Sequence, residues 1–183
     1  STWAFKVKRY PDGLIKKFKA RFCARGDQQL EGIDFFETYA PVVQWTTIRL
    51  MFVLEVLLGL KSLQGDITCA FLHADLEENE NVYVDMPMGF TQYGKNGKKM
   101  CLKLKKTLYG LRQSPRAFWK YITVKLEECG LQQLKFNPCL FIGPDVICMV
   151  YVDDLIFWSR DVPQINHVAM DLRERGVDLE KED

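Results

Sequence analysis

Between residues 3 and 23 apolar and charged positions alternate: Phe5 and Val7 interleave with Lys6 and Lys8, Pro11-Asp12-Gly13 interrupts, and Phe18, Ala20 and Phe22 then interleave with Lys17, Lys19 and Arg21. Period two on either side of a Pro-Asp-Gly turn predicts a hairpin with one basic face, because successive strand side chains point to opposite sides. "TTIRLMFVLEVLLG" at 46–59 predicts a largely buried helix, capped by Thr46 or Thr47 and stopped by Gly59. "KSLQGD" predicts a short strand ending on Asp66, "ITCAFLHADLEE" a short helix, and "NVYVDM" another strand. Asn96-Gly97 marks a turn before "KMCLKLK", which alternates with Lys99, Lys103 and Lys105 outward. "SPRAFWKYITVKLEECG" has helix punctuation, with Ser114 as N-cap, Pro115 in the first turn and Gly130 past the end. Strands at 139–142 and 146–152, a strand from Leu155 to Trp158 and a last helix from an Asp161 cap to Gly176 complete the order. Together they predict an α+β fold: one mixed or antiparallel sheet, helices packed on one face, and the basic N-terminal hairpin standing in front.

With 183 residues, 48% of them hydrophobic, the chain is long enough for a real core. Its net charge is +1, but residues 1–30 hold eight Lys/Arg against two acids, residues 95–125 hold ten against none, and residues 75–85 hold five acids and no base. Two basic blocks in a near-neutral chain point either to an anionic partner or to plain solvated lysine faces. The six cysteines have no C-x-x-C spacing, and four sit in apolar runs, as expected of core thiols in a reducing compartment. Neither a membrane span nor a signal peptide is expected, since there is no long apolar run and no charged-then-apolar leader.

The segment "ICMVYVDDLIFW" at 147–158 changes the picture, because Asp153 and Asp154 interrupt a run built for burial. Its simplest structural reading is the tip of a tight hairpin, where Asp is common. Adjacent carboxylates nevertheless repel and raise each other's pKa unless a cation lies between them. Asp66, at a strand end where the chain turns, is the natural third member of such a site, or else a helix N-cap. Three carboxylates on one rim, without a His or thiolate cluster, suit Mg²⁺ or Mn²⁺. Two such ions about 3.5 to 4 Å apart clamp the attacking and leaving oxygens of a phosphoryl displacement, and the basic blocks would then grip a polyanion.

"YVDD" at 151–154 resembles the Tyr-x-Asp-Asp motif of reverse transcriptases, and "QGDITCAFLHADL" at 64–76 resembles the partner motif that supplies the third acid. With "KARFCARGDQQLEGIDFFETYAPVV", "TTIRLMFVL", "MPMGF" and "LKKTLYGLRQSPRAFW", the chain from residue 2 onward is similar to copia-type LTR retrotransposon reverse transcriptases. The resemblance implies a right-hand polymerase, of which this single domain of residues 1–183 carries fingers (1–60 and about 86–115) and palm (61–85 and about 116–183). It implies Asp66, Asp153 and Asp154 as catalytic acids holding two Mg²⁺ ions, with Mn²⁺ as a substitute and the Ile67 carbonyl as a further ligand. Phe71, beside Ala70 at the nucleotide site, falls where such enzymes place an aromatic gate against a ribose 2′-OH. Arg21, Lys19, and Lys16 or Lys17 match the residues that hold the incoming triphosphate, and Gly110 and Gln113 the segment beneath the nucleotide. Arg112, Arg116, Tyr151, Lys103 and Lys105 are implied for template and primer. Tyr109 stands where many other reverse transcriptases carry Gln, and Arg112 replaces the usual Lys.

The implied partners are a primed RNA or DNA template, dNTPs and other segments of the same polyprotein (thumb, RNase H, integrase), with no membrane. The implied location is cytoplasmic, in a virus-like particle for an active element, with nuclear entry of the product complex. The chain stops at the palm's last motif, so the thumb and RNase H are expected outside it and the isolated piece is expected to polymerise weakly or not at all. The rival expectation is a non-catalytic nucleic-acid-binding remnant of a decayed or domesticated retroelement, which shares the basic surface but not turnover.

Overall fold

A computed structural model describes residues 1–181; the last two residues of the acid-rich tail, included in the expected palm, lie outside the described residues. β1 (Thr2–Arg9) and β2 (Ile15–Cys23) form an antiparallel hairpin closed at Gly13, whose φ of +87° needs a residue without a Cβ. α1 (Trp45–Leu58) leads into β3 (Lys61–Ile67), and after a one-turn 3₁₀ helix at Ala70–Leu72 come the paired strands β4 (Tyr83–Asp85) and β5 (Cys101–Lys103). Then follow α2 (Ser114–Glu128), β6 (Gln132–Leu134), β7 (Asn137–Ile142), β8 (Ile147–Tyr151), β9 (Asp154–Ser159), α3 (Val162–Glu174) and β10 (Leu179–Lys181). Six strands form one sheet in the order β10-β3-β9-β8-β7-β6, antiparallel throughout.

The sheet is covered on both faces, which corrects the expectation of helices on one face. Strand side chains alternate, so Phe141, Cys148, Val150, Leu155 and Phe157 meet α2 and α3 through Phe118, Ile122, Leu126, Ile165 and Leu172. Leu140, Met149, Ile156 and Trp158 point the other way and meet α1 through Ile48, Met51 and Leu54. A third cluster, Ala24, Val82, Val84, Leu108 and Leu111, fastens the base of the hairpin to β4, β5 and the loop before α2.

Three helix expectations change. α1 is not largely buried: Met51 is its one buried residue, because the sheet contacts a single stripe of a helix that is apolar nearly all round. It begins at Trp45 with Gln44 as cap, ahead of Thr46 and Thr47. Ser114 is the first residue of α2 rather than its cap; it is buried, and its hydroxyl donates to the Leu108 carbonyl at 2.7 Å. β6 and β10, three residues each, are too short to leave a period of their own. Among the described residues no helix is long and apolar enough to cross a membrane.

All six cysteines are free thiols, and burial ranks them. Cys148 is fully buried, with its pKa raised well above normal by desolvation, and Cys129 is pushed up to about 12 by burial and the Asp171 carboxylate. Alkylation at pH 8 is therefore expected to label exposed Cys69 and Cys101 first, and Cys129, Cys139 and Cys148 only on unfolding. Peptide mass spectrometry reads the order; early labelling of Cys148 in the folded chain would contradict this packing.

Candidate active site

The pairing of β3 with β9 sets Asp66 directly opposite Asp154, and the Ile67 N–H donates to the Asp153 carbonyl at 2.9 Å. Residues paired across two strands share a face, and here it is the face that α1 covers. α1 reaches only the other end of that face, where Glu55 accepts from Ser62 at 2.8 Å and from the Trp158 indole at 2.9 Å, so the aspartate end is left open. On the far side of Asp66, β10 places Glu180 opposite it, making a row of acids Glu180-Asp66-Asp154 across three strands. Tyr151 pairs with Asp154, so Val152 and Asp153 alone form the β8–β9 turn. Val152 has a φ of +56°, unusual for a β-branched side chain and costing on the order of 1–3 kcal/mol, which the flanking ladder must hold in place.

A cavity of about 520 Å³ separates this edge from the hairpin. Asp66, Ile67, Thr68, Cys69, Asp153 and Glu180 line one side, Lys8, Lys17, Lys19 and Arg21 the other, and Leu108 and Tyr109 also contribute to its wall. The hairpin register explains the basic wall: Lys8 faces Lys17, Lys6 faces Lys19 and Ala4 faces Arg21, so Lys6, Lys8, Lys17, Lys19 and Arg21 fall on one side. It also decides between Lys16 and Lys17, since Lys17 lines the cavity while the Lys16 ammonium lies 5.5 Å from the Tyr10 ring centre. Arg21 stacks over Tyr109 at 5.3 Å, and Tyr109 meets Phe71 edge-on at 4.7 Å. Burial raises the Tyr109 phenol pKa, and the negative charge of Asp153 adds to it, so this ring stays neutral at physiological pH.

The all-oxygen carboxylate set fits hard divalent ions by its chemistry. It is not a ready-made cage: among the described residues, no three His, Cys, Asp or Glu are gathered in a way that would hold an ion. Backbone register, rather than side-chain rotamers, brings the acids together.

Other expected site residues stand elsewhere. Phe71 packs on Tyr109 and Phe118 and does not line the cavity, and Ala70 is fully buried in the core. Gly110 does permit a close approach, but to the chain itself: Ala24 N–H donates to the Tyr109 carbonyl at 2.8 Å, and a Cβ on Gly110 would overlap the Ala24 carbonyl oxygen. Gln113 is buried, accepting from the Gln29 amide at 3.0 Å and donating to the Asp34 carbonyl at 3.0 Å. Arg112 donates to the Gly26 carbonyl at 2.8 Å and stacks on Phe35, while Arg116 pairs with Glu37. Lys103, Lys105 and Tyr151 are exposed and outside the cavity. Sequence reasoning missed Thr68, Cys69 and Glu180 on the cavity wall; Glu180 belongs to β10, whose three residues carry no periodic signal.

Residues 1–180 match the family described as "Reverse transcriptase (RNA-dependent DNA polymerase)". The chain belongs to the reverse transcriptase family. It is 36% identical over 175 residues to the retrovirus-related Pol polyprotein from transposon TNT 1-94 of Nicotiana tabacum, covering 93% of the chain and 13% of that polyprotein. It is 33% identical over 185 residues to the Pol polyprotein from transposon RE2 of Arabidopsis thaliana, covering 99% of the chain and 12% of the relative. Against the transposon Ty1-H Gag-Pol polyprotein of Saccharomyces cerevisiae the identity is 37% over 152 residues, covering 79% of the chain and 8% of the relative. These relatives make it a reverse transcriptase of the copia type, and the chain spans only a small part of the length of each polyprotein. Such a reverse transcriptase segment fits the antiparallel α+β architecture described above.

Proposed function

We propose that this chain supplies the fingers (1–60 and about 86–115) and palm (61–85 and about 116–183) of an RNA-directed DNA polymerase that joins dNTPs to a primer 3′-OH, working in the cytoplasm. The observation that carries the reading is the pairing of Asp66 with Asp154, next to Asp153, across a cavity from Lys8, Lys17, Lys19 and Arg21. One wall suits divalent cations and the opposite wall suits phosphates, the arrangement that a nucleoside triphosphate requires.

Asp66, Asp153 and Asp154, with the Ile67 carbonyl, would hold two Mg²⁺ ions. When bound, these ions supply charge neutralisation at phosphate oxygens and ease loss of the hydroxyl proton. Arg21 offers two parallel hydrogen bonds to phosphate oxygens, and Lys17 and Lys19 add point charges to the same wall. Tyr109 shapes the cavity beside the nucleotide, and Phe71, from behind, holds that ring in place and so acts on the sugar through it. Ala70, Gly110 and Gln113 act by fixing the backbone around the site, as do Arg112 and Arg116. Lys103, Lys105 and Tyr151 remain exposed for a primed RNA or DNA template, and the rest of the polyprotein would supply thumb and RNase H.

Mg²⁺-dependent dNTP incorporation on a primed RNA template, by the chain joined to the thumb-bearing part of its polyprotein, is expected to fall about a hundredfold or more in Asp153→Asn. Equal incorporation by both proteins would reject catalysis and leave the non-catalytic nucleic-acid-binding remnant.

A further inference from the structure

Where the chain leaves β3 it does so under strain. Cys69 has a φ of +53°, a left-handed conformation that costs a non-glycine residue on the order of 1–3 kcal/mol and persists only where the surroundings hold it. Thr68 and Cys69 nonetheless form part of the cavity wall beside Asp153. The Thr68 hydroxyl is buried without a hydrogen-bond partner among the described residues, so it adds no anchor of its own.

What holds this stretch is a closed ring of contacts. The Thr68 N–H donates to the Asp178 carbonyl at 2.8 Å, and the Thr68 carbonyl accepts from His73 Nε2 at 3.0 Å. A carbonyl only accepts, so a neutral His73 carries its proton on Nε2. The His73 ring stacks on Tyr121 of α2, with centres 5.8 Å apart and planes 18° apart. The Tyr121 hydroxyl reaches the Gly176 carbonyl at 3.4 Å, two residues before Asp178, and so closes the ring. The backbone around His73 is fastened as well. Lys106 donates to the His73 carbonyl at 3.2 Å and the Thr107 N–H to the Ala74 carbonyl at 3.0 Å, and Thr107 leads into Leu108 and Tyr109 on the same cavity.

We propose that His73 is a positioning residue for the incoming nucleotide: its Nε2–H fixes the Thr68 carbonyl, and with it the part of the wall that Thr68 and Cys69 form. This rests on the polymerase reading of the cavity, which His73 itself does not line. The bond from Thr68 to Asp178 is backbone to backbone and survives any side-chain replacement, so the His73 bond is the one that substitution removes. The carboxylates are held independently of it. Asp66 is fixed by its ladder pairing with Asp154, and the Asp153 carbonyl by the Ile67 N–H. Loss of the His73 bond therefore loosens the wall that receives the nucleotide and leaves the aspartates in register, which places its effect in the dNTP KM rather than in kcat.

Three variants, in the chain joined to the thumb-bearing part of its polyprotein, separate the donor from the ring. His73→Phe keeps the stack on Tyr121 and loses the donor, His73→Asn leaves its amide short of Thr68, and His73→Gln puts an amide nitrogen where Nε2 stood. The first two are expected to raise the dNTP KM about tenfold with kcat within about threefold, and the third to bring KM back to within about threefold of wild type. Alkylation of exposed Cys69 reads the same wall without any turnover, with exposed Cys101 as the internal standard. It is expected to speed up at least about threefold in the Phe and Asn variants and to return to the wild-type rate in the Gln variant. An unchanged KM in the Phe and Asn variants, a kcat that falls as far as KM rises, a Gln variant as impaired as the Phe variant, or Cys69 labelling indifferent to all three would each overturn the inference. A wild type that incorporates no dNTP would instead overturn the polymerase reading, and Cys69 labelling alone would then decide whether His73 holds this wall.

Discussion

Gly110→Ala is expected to cost roughly 3 kcal/mol of stability, the largest loss from adding a single methyl group anywhere near the site. Two terms add. Gly110 has a φ of +90°, where a Cβ is strained, and the added carbon would also overlap the Ala24 carbonyl oxygen. That oxygen is backbone, pinned by the hydrogen bond of its own residue to Tyr109, so it cannot swing aside as a side chain would. Gly26, whose own Cβ would overlap the Gly110 carbonyl oxygen, meets the same crossing from the other direction. Gly130→Ala is the control: its φ is +80° but nothing lies within 4 Å of the added carbon, so only the conformational cost of about 1 kcal/mol should appear. Urea denaturation of the three proteins separates the terms. Similar midpoints for the two variants would show that the hairpin base and the 108–112 loop are not locked together.

Asp66→Asn should reduce dNTP incorporation by about 10²–10³-fold, whereas Glu180→Gln should change the turnover number by only a few-fold. Both residues lie in one row, on the neighbouring strands β3 and β10, and both line the cavity. What separates them is the third neighbour: Asp66 pairs with Asp154 and adjoins Asp153 through the Ile67 N–H, while Glu180 has only Asp66 opposite it. Removing one charge from the triple leaves two carboxylates to hold what three held. Removing Glu180 relieves repulsion on a cavity whose other wall is cationic, and the expected change is in the dNTP KM. Single-turnover incorporation resolves the two; a loss in Glu180→Gln as deep as in Asp66→Asn would move the catalytic centre toward β10.

The order of elements was largely legible because period and punctuation agree along most of the chain. Pro11-Asp12-Gly13 closes the hairpin, Gly59, Gly130 and Gly176 follow three helices, and the acids of "YVDD" fall at a two-residue turn linking paired strands of the main sheet. The helix starts were less so. Thr46 and Ser114 are good caps by composition, yet tertiary packing turned Ser114 inward to Leu108 and let α1 start one residue before Thr46. The site divides in the same way. Its acids announce themselves, because adjacent carboxylates in an apolar run have few structural reasons. Phe71 and Gln113 do not reveal from sequence whether they face a ligand or the core, since an aromatic ring and a buried amide serve either purpose.

What the sequence determined by itself is most of the longer strands and helices, the basic face of the hairpin and the three aspartates, because each follows from local spacing and side-chain chemistry; the three-residue strands β6 and β10 and the shortening of the 67–78 segment to one 3₁₀ turn did not. Only the tertiary structure decided that β3 and β9 pair so as to set Asp66 against Asp154, that α1 lies on the opposite sheet face from α2 and α3, and that Lys17 rather than Lys16 faces the cavity. The physical reason is that register and sheet face are properties of contacts between segments distant in the chain: a shift of one residue inverts every side chain, and nothing within either segment alone specifies it.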